Sequence, residues 1–177
     1  MRAIIFDKHG GPEVVQYREV ATPIPDALEV LIRVKATALN HIDIWLRNGL
    51  PAYPIPLPHI VGTDVCGIVE KTGKGVQKFR KGEAVVIYPG LYCGKCEWCY
   101  KGLPNSCNTF KLVGAAVDGG YAEYLKVPKR NVFPKPKSLS YEETAPLPVT
   151  YITSWDMLMD KAKAVPGESV LIQAAGS

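Results

Sequence analysis

The sequence predicts an α+β fold in which a barrel of short β-strands comes first and helices follow. Glycine and proline make up 16 and 15 of the 177 residues and are spread along the chain, which favours many strands joined by turns. Short β-favouring runs occur throughout the chain up to Val127, whereas helix signals concentrate after Ser138. The length allows one domain and at most part of a second.

Six runs are predicted as strands because β-favouring residues stand between glycine and proline turns. These runs are Ala3–Phe6, Val14–Glu19, Glu29–Ala38, Gly67–Lys71, Ala84–Tyr88 and Tyr121–Val127. In the third run every second residue, beginning with Val30 and Ile32, is apolar, which is typical of a strand with one buried face. A short helix is expected over Asn40–Asn48, closed by Gly49, before a rigid proline-rich loop that runs to His59.

Two helices and one further strand are predicted in the last part of the chain. Ser140 followed by Glu143 is a capping-box pattern, so a helix is expected to begin there. A second helix is expected from about Val149 to Lys163, where apolar residues recur every three or four positions. The apolar run Ser169–Ala174 is typical of a buried parallel strand, and a glycine follows it closely, as in a phosphate-binding turn.

Composition and charge exclude several classes of protein. The chain is 47% hydrophobic and 21% charged, which is ordinary for a globular protein and excludes a disordered tail or a coiled coil. The net charge of +4 is dispersed, and the densest basic stretch, 74–81, is interpreted as a solvated loop rather than a polyanion site. No apolar run resembles a signal peptide or a membrane span. We therefore expect a cytoplasmic location, with no nucleic-acid or membrane partner.

Four of the five cysteines fall within one short segment, at the spacing C-x2-C-x2-C-x7-C. This spacing lets the thiolates converge on one ion, and four sulfurs complete the tetrahedron that structural zinc prefers. We therefore predict one structural zinc ion (Zn) per chain, held by Cys93, Cys96, Cys99 and Cys107. The loaded site would carry a formal charge of −2, which three nearby lysines are expected to offset: Lys95, Lys101 and Lys111.

Other uses of these cysteines fit the spacing less well. An iron–sulfur cluster also takes four thiolates, but the seven-residue gap departs from the three-residue gap of the bacterial ferredoxin pattern. Disulfide redox chemistry suits a two-residue gap but does not explain four cysteines so spaced. Cys66 lies alone in an apolar stretch and is interpreted as a small buried hydrophobic residue.

A series of motifs occurs in order along the whole chain: GGPEV, ALNHIDIWLRNG, LPHIVGTDVCGIV, GEAVVIYPGLYCGKCEWC, GGYAEYLKVP, LPVTYITSWDML and PGESVLIQAAGS. Together they resemble the zinc-containing medium-chain alcohol dehydrogenase and quinone oxidoreductase family. The resemblance implies a GroES-like β-barrel catalytic domain at 1–148, with a zinc lobe at about 90–112. It also implies that 149–177 is the start of a truncated Rossmann domain, with Ser169–Ala174 as its first strand. We therefore expect the chain to be a fragment that binds a dinucleotide poorly by itself.

The sequence departs from this family at the catalytic zinc. The family holds that ion with a Cys, with the His of a Gly-His-Glu motif and with a later Cys. The corresponding positions here are Asn40, Thr63 and about Val149, which do not bind zinc as thiolate and imidazole do. A substitute site would need His41 together with an aspartate such as Asp64, and a catalytic zinc requires three convergent ligands. We therefore expect no catalytic zinc.

The resemblance also implies roles for individual residues. Asn40, Thr63 and Asp64 become the candidate catalytic residues. Where no metal does so, hydrogen-bond donors such as the Asn40 amide, the Thr63 hydroxyl or a water must meet the negative charge on a substrate oxygen. Thr153 matches the family threonine that approaches the nicotinamide. His41 is placed to bind a cofactor phosphate.

Four further side chains have weaker support. Trp45 and Tyr53 are equally consistent with an aromatic wall of the substrate cleft and with packing in the core. His9 and His59 belong to no motif that would give them a chemical role, and both are interpreted as structural.

The leading hypothesis is an NAD(P)-dependent oxidoreductase that transfers hydride between nicotinamide and a quinone, an enone or another carbonyl compound. A second hypothesis is an alcohol dehydrogenase that acts on alcohols or aldehydes, with a proton relay through Thr63 or His41 in place of zinc. A third treats the isolated chain as a zinc-stapled module without catalysis. The resemblance further implies a small-molecule substrate and a homo-oligomer, either a dimer or a tetramer.

Overall fold

The computed structural model describes residues 1–173, which contain nine strands and four α-helices. The strands are β1 (Arg2–Ile5), β2 (Gln16–Glu19), β3 (Glu29–Ala38), β4 (Asp64–Thr72), β5 (Ala84–Ile87), β6 (Gly90–Leu91), β7 (Lys111–Leu112), β8 (Tyr124–Pro128) and β9 (Val132–Pro134). The helices are α1 (His41–Asn48), α2 (Glu97–Tyr100), α3 (Tyr141–Thr144) and α4 (Leu147–Trp155). Short 3-10 helices lie at Pro12–Val14, Pro104–Ser106 and Lys129–Asn131, and a π-helix lies at Asp156–Lys161.

A five-stranded antiparallel sheet forms the body of the molecule, in the order β8-β3-β4-β5-β9. The pairing of β3 with β4 shifts register after Leu31 and again after Val34. Such irregularities bend a strand and increase its twist, so the sheet curls into a half-barrel. Its interior is filled by buried apolar side chains, most of them β-branched: Val30, Ile32, Val65, Val69, Val76, Phe79, Val85, Ile87, Val113, Leu125, Val127 and Val132. The predicted barrel-like α+β domain is confirmed.

All six predicted strands are present, although several ends move. The prediction for β3 has the observed bounds, Glu29–Ala38. β4 begins at Asp64, earlier than predicted, because the buried segment before Gly67 continues the pairing with β3. The start of the run predicted at Val14–Glu19 is instead a 3-10 turn, since Pro12 fixes φ at a value that suits a turn.

The predicted helix starts are close to the observed ones. Ser140 Oγ accepts a hydrogen bond from the backbone N–H of Glu143 at 3.0 Å, and the Glu143 carboxylate accepts one from the N–H of Ser140 at 2.8 Å. This reciprocal pair is a capping box, and α3 begins there as predicted. The helix predicted over Val149–Lys163 begins slightly earlier, at Leu147. Pro148 fits in this first turn because the backbone N–H groups there have no partner within the helix, so the N–H that proline lacks is not missed. Its later turns form the π-helix.

The strand predicted at Ser169–Ala174 is wrong for residues 169–173, and Ala174 lies outside the described residues. The apolar side chains of the segment are exposed, that of Leu171 by 85%. A strand forms only where its backbone groups pair with a neighbouring strand. Within residues 1–173 no strand pairs with this segment. The assignment of 149–177 to a Rossmann domain stays a prediction.

The basic stretch 74–81 lies in the connection between β4 and β5, and all four of its basic side chains are exposed. One of them, Lys81, forms an ion pair with Glu70 at 2.5 Å. The stretch is therefore a solvated loop, as predicted, whereas the absence of a polyanion site stays a prediction. In the described part of the chain, no helix combines the length and the apolar character that crossing a membrane requires.

Candidate functional site

The candidate catalytic side chains lie where α1, β4 and α4 begin. Asn40 precedes α1, Thr63 and Asp64 stand at the start of β4, and Val149 is in the first turn of α4. The Asn40 side chain donates hydrogen bonds from Nδ2 to Thr63 Oγ1 at 3.1 Å and to Asp64 Oδ2 at 2.9 Å. The backbone N–H of Val149 donates to Asp64 Oδ1 at 3.0 Å. The fold therefore gathers three segments that are distant in sequence around the Asp64 carboxylate.

Both oxygens of the Asp64 carboxylate are occupied by these bonds, and the residue is only 1% exposed. Burial raises the pKa of Asp64 above its ordinary value, because an ionised carboxylate loses its hydration, while the bonds from Asn40 and Val149 oppose the shift. The hydroxyl of Thr37 donates to the backbone oxygen of Asp64 at 2.6 Å and so fixes the start of β4. Asp64 is thus an anchor that orients the Asn40 amide.

The raised pKa of Asp64 gives the stability of the chain a defined pH dependence. A group whose folded pKa lies above its unfolded pKa stabilises the fold fully below the unfolded pKa, and this contribution is lost as pH rises through the folded pKa. We therefore expect the free energy of unfolding of the wild-type chain, relative to Asp64→Asn, to fall as pH rises above about 4. Urea unfolding of both proteins at a series of pH values measures this difference.

The exposed Asp160 provides the control for this measurement, because Asp160→Asn removes a carboxylate that is not buried. Any loss of metal at acid pH affects all three proteins alike and cancels in the comparison. A wild-type advantage that grows as pH rises would mean that Asp64 is stabilised in its ionised form, contrary to the effect of burial.

A second buried carboxylate, Asp43, holds the backbone around the site. It is 3% exposed and accepts hydrogen bonds from the N–H of Asn40 at 2.9 Å, the N–H of Gly62 at 3.2 Å and the hydroxyl of Tyr121 at 2.6 Å. Gly62 has a φ of +110° and lies against the Tyr121 ring, where a Cβ would come within 2.6 Å of Cδ1, so a larger residue does not fit. Burial, reinforced by Asp43, raises the pKa of Tyr121, so its phenol stays protonated and continues to donate.

The donor set around Asp64 does not fit a catalytic zinc ion. The Asn40 amide presents its nitrogen to Asp64, both oxygens of Asp64 already accept hydrogen bonds, and the Val149 side chain has no donor atom. His41 is exposed at the start of α1. Among the residues that the structure describes, only the four cysteines bring three or more metal-binding side chains together, so His41 and its neighbouring aspartates form no substitute cage.

A cleft of about 690 Å³ opens beside this network. Thr63 lies at its edge together with Ile42 of α1 and Thr153 of α4, whereas Asn40 and Asp64 lie behind this wall. Much of the remaining wall is apolar and comes from α4 and the cysteine-rich segment: Tyr151, Ile152, Trp155, Leu103, Pro104 and Phe110. Clefts of this size and character hold small organic ligands.

The two aromatic residues considered for a cleft wall do not border this cleft. Trp45 is 54% exposed, so the interpretation that it packs in the core is wrong. Its ring lies beside that of His41, with the ring centroids 6.0 Å apart. Tyr53 is half-buried and packs against the cluster that contains Phe6 and Leu46. Core packing is therefore confirmed for Tyr53 only.

Two histidines make structural contacts. His59 is fully buried, and its Nε2 lies 3.0 Å from the backbone oxygen of Gly114. His9 is exposed, but its Nδ1 lies 3.0 Å from the backbone oxygen of Leu46 and so joins the N-terminal segment to α1. Both contacts agree with the interpretation of these histidines as structural.

The four clustered cysteines belong to the segment 90–112, which we call the metal lobe. The sulfur separations are 3.9 Å for Cys93–Cys99, 3.5 Å for Cys96–Cys99 and 3.6 Å for Cys93–Cys107. A tetrahedral zinc with Zn–S bonds of about 2.3 Å keeps its sulfurs about 3.8 Å apart. A disulfide needs about 2.05 Å, and all the cysteines are free. The geometry and the donor set therefore fit a structural zinc.

Backbone N–H groups point at the sulfurs of the metal lobe. The N–H of Cys93 donates to Cys107 Sγ at 3.4 Å, and the N–H of Lys95 donates to Cys93 Sγ at 3.4 Å. The first of these bonds, together with hydrogen bonds from Thr109, lowers the pKa of Cys107 to about 6. Such bonds favour thiolates, which are the form that binds metal.

The fifth cysteine, Cys66, lies in β4 and is fully buried. Its thiol donates a hydrogen bond to the backbone oxygen of Val85 at 3.3 Å. Burial raises the pKa of Cys66 to about 11, so the group stays a thiol and is a poor nucleophile. The interpretation as a small buried hydrophobic residue is confirmed.

Comparison with known proteins places this geometry in a family. Residues 26–137 match the alcohol dehydrogenase GroES-like domain. A quinone oxidoreductase from Mus musculus is 33% identical over 176 residues, which cover 99% of this chain and 45% of that protein. A crystal structure of an NAD-dependent alcohol dehydrogenase superposes with a TM-score of 0.96 at 46% identity and covers 100% of this chain and 52% of its own. A cobalt- and zinc-bound thermostable alcohol dehydrogenase from Pyrobaculum aerophilum superposes with a TM-score of 0.87 at 37% identity. That match covers 95% of this chain and 50% of the other chain.

The chain spans about half the length of the curated relatives it matches. The region that matches the family contains the whole five-stranded sheet, α1 and the metal lobe. The two solved structures just described match 100% and 95% of the chain. The chain belongs to the family of alcohol dehydrogenase GroES-like domains.

Proposed function

We propose that this chain is the substrate-binding part of an NAD(P)-dependent oxidoreductase that transfers hydride between nicotinamide and a quinone, an enone or another activated carbonyl compound. The observation that carries the proposal is the buried network of Asn40, Thr63 and Asp64 at the edge of the cleft. The names of the relatives, a quinone oxidoreductase and alcohol dehydrogenases, support the reaction class.

The network prepares Thr63 to donate a hydrogen bond into the cleft. The two N–H bonds of the Asn40 amide point at Asp64 and at the Thr63 oxygen, so that oxygen already acts as an acceptor. Within residues 1–173 no acceptor takes the proton of Thr63, and the side chain lies at the cleft edge although only 1% of the residue is exposed. A donor held in place before the reaction stabilises negative charge that develops on a substrate oxygen. Thr63 is therefore the proposed catalytic donor, with Asn40 and Asp64 orienting it.

The substrate class follows from the strength of these donors. A neutral hydroxyl stabilises an oxyanion less than a metal ion that acts as a Lewis acid. Because the donor set around Asp64 does not fit zinc, substrates that delocalise negative charge themselves are favoured. Quinones and enones have this property, whereas simple aliphatic aldehydes do not.

The cofactor assignments rest on position. Thr153 is exposed on α4 and lies on the cleft wall, where it can contact a nicotinamide ring. His41 is exposed at the start of α1 and is proposed to bind a cofactor phosphate. When bound, the nicotinamide supplies or accepts the hydride. Because the relatives are about twice as long, we propose that turnover needs a nucleotide-binding part in addition to residues 1–173.

A second candidate function is an alcohol dehydrogenase, which the 46% identity to an NAD-dependent alcohol dehydrogenase favours. It would need a proton relay through Thr63, since His41 makes no hydrogen bond to the network within the described residues. Substrate preference of the natural gene product separates the two functions. If that protein binds no nicotinamide cofactor at all, the third hypothesis, a zinc-stapled module without catalysis, is favoured.

Small molecules, rather than nucleic acids or membranes, are the partners that we propose. The cleft is largely apolar, and one of the basic side chains in 74–81 is already paired with Glu70. We also propose a homo-oligomer, either a dimer or a tetramer, on the family resemblance alone. Free cysteines suit the reducing conditions of the cytoplasm, which we propose as the location.

Replacing Thr63 with valine is expected to lower kcat/KM for a quinone or enone by about 100-fold, because it removes one prepared hydrogen-bond donor with little change in shape. Asn40→Ala is expected to cause a similar loss, since the Thr63 hydroxyl then loses its orientation. The measurement is NAD(P)H oxidation by the natural gene product with 1,4-benzoquinone and with a conjugated enone as acceptors.

The matched control is Thr150→Val, because that hydroxyl donates to the backbone oxygen of Pro146 in its own helix. It is expected to keep activity within about twofold of wild type. Full activity of Thr63→Val would remove Thr63 from the mechanism. Equal rates with simple aliphatic alcohols and with quinones would favour the alcohol dehydrogenase instead.

A further inference from the structure

The metal lobe has a charge that its own lysines offset only in part. Four thiolates around Zn²⁺ leave a formal charge of −2. Of the three lysines expected to offset it, Lys101 is paired with Glu97 at 2.5 Å and lies over the Trp98 ring. Lys95 and Lys111 are exposed and form no ion pair or cation–π contact within residues 1–173. A cation held in place beside the metal would be more effective than these solvated side chains.

Arg130 is such a cation, although it is 23 or more residues away from the cysteines in sequence. Gly94 forms the turn between Cys93 and Cys96 with a φ of +73°, and a Cβ built on it would collide with Nη1 of Arg130. The Arg130 guanidinium therefore occupies the space beside this turn. It also lies over the ring of Tyr92, with Cζ 5.1 Å from the centroid. In the described residues Arg130 forms no ion pair with any carboxylate, so its charge is available to the metal lobe.

The backbone of Arg130 is fixed by its neighbour Asn131. The Asn131 side chain is fully buried and donates from Nδ2 to the backbone oxygens of Tyr88 and Gly90, at 2.8 and 2.7 Å. The N–H of Tyr88 donates back to the oxygen of Asn131 at 2.8 Å. These bonds join the 3-10 turn that carries Arg130 to the segment from which the metal lobe begins. Arg130 thus reaches the metal-binding turn from a rigid support.

We propose that Arg130 is a positioning residue for the structural zinc: its guanidinium offsets the negative charge of the four-cysteine site and fastens the turn at Gly94 to the half-barrel. Groups just outside the ligand sphere of a metal typically change its affinity by about 10- to 100-fold. Because Arg130 is itself exposed and differs from Lys95 and Lys111 only in its fixed position beside the Gly94 turn, the effect expected here is at the lower end of that range.

The test is zinc affinity of the 177-residue chain, measured by competition with a chromophoric zinc chelator. Arg130→Gln is expected to weaken zinc binding about tenfold, and Arg130→Lys, which keeps the charge, to stay within about threefold of wild type. The gap between wild type and Arg130→Gln should shrink in about 1 M salt, because salt screens a charge effect but not a packing effect. Lys101→Met is the matched control, since it removes a cation of the metal lobe that is already paired.

Each outcome decides the proposal. A loss in Arg130→Gln that Arg130→Lys restores and that salt diminishes supports it. Affinity of Arg130→Gln equal to that of Lys101→Met overturns it, as does an equal, salt-insensitive loss in both Arg130 variants, because that result would show packing alone. If Arg130→Gln does not fold, judged by circular dichroism, Arg130→Lys decides: a tenfold loss of zinc affinity in that folded variant overturns the role of the charge.

Discussion

Replacing Asp43 with alanine is expected to lower the free energy of unfolding by about 3–5 kcal/mol. The variant would leave the N–H groups of Asn40 and Gly62 and the hydroxyl of Tyr121 without the acceptor that they share. Each buried donor left unpaired costs roughly 1–3 kcal/mol, although water that enters the cavity would recover part of the sum. Urea unfolding of the zinc-loaded chain measures the loss.

Three further variants separate the loss of hydrogen bonds from the loss of a charge. Asp43→Asn keeps one acceptor oxygen and is expected to cost less than alanine, about 2 kcal/mol. Tyr121→Phe removes a single bond and is expected to cost about 1 kcal/mol. Asp160→Ala, at an exposed position, should change stability by less than about 0.5 kcal/mol. If Asp43→Ala were no more destabilising than Asp160→Ala, the network would contribute nothing to the fold.

The network around Asp43 also connects stability to the proposed chemistry. Asp43 holds the backbone of Asn40, the residue that orients Thr63, and the backbone of Gly62, which immediately precedes Thr63. A change at Asp43 therefore displaces both partners of the Asn40–Thr63 hydrogen bond. Stability and the geometry of the candidate site depend on the same buried carboxylate, although this carboxylate does not border the cleft.

The sequence predicts best where local patterns determine the structure. β3 has its predicted bounds because every second residue, from Val30 to Ala38, is apolar. The Ser140 capping box uses residues only three positions apart. The four cysteines likewise lie within one short segment, so their spacing alone predicts a common ion. In each case the residues that interact are close in sequence.

Contacts between distant residues could not be predicted in this way. Val149 meets Asp64 across 85 positions and Tyr121 meets Asp43 across 78, and nothing local in either segment indicates its partner. The apolar run at 169–173 shows that a local pattern can also predict an element that does not form. Its composition favours a strand, but a strand also needs a neighbour, and composition carries no information about that neighbour.

Removing zinc is expected to unfold the metal lobe while the five-stranded sheet stays folded. Between positions 93 and 107 only Cys107 is buried, so this segment has no apolar core of its own. Zinc bound by four thiolates contributes about 10 kcal/mol or more in small zinc domains, and here that energy replaces the missing core. Hydrogen exchange after treatment with a chelator should show lost protection at 93–107 and retained protection in β3 and β4. The cleft would lose the wall that this lobe provides.

Two cysteine variants test whether the metal, rather than the thiols, stabilises the lobe. Cys107→Ser is expected to weaken zinc binding by about two orders of magnitude or more, because a hydroxyl is a poor substitute for a thiolate ligand. Cys66→Ala is the matched control, since it removes a buried thiol outside the lobe and should retain one zinc per chain by elemental analysis. Retained protection at 93–107 after zinc removal would mean that side-chain contacts suffice to fold the lobe. Loss of protection throughout β3 and β4 would mean that zinc stabilises the half-barrel as well, and the metal would then support the candidate site directly rather than through one wall of its cleft.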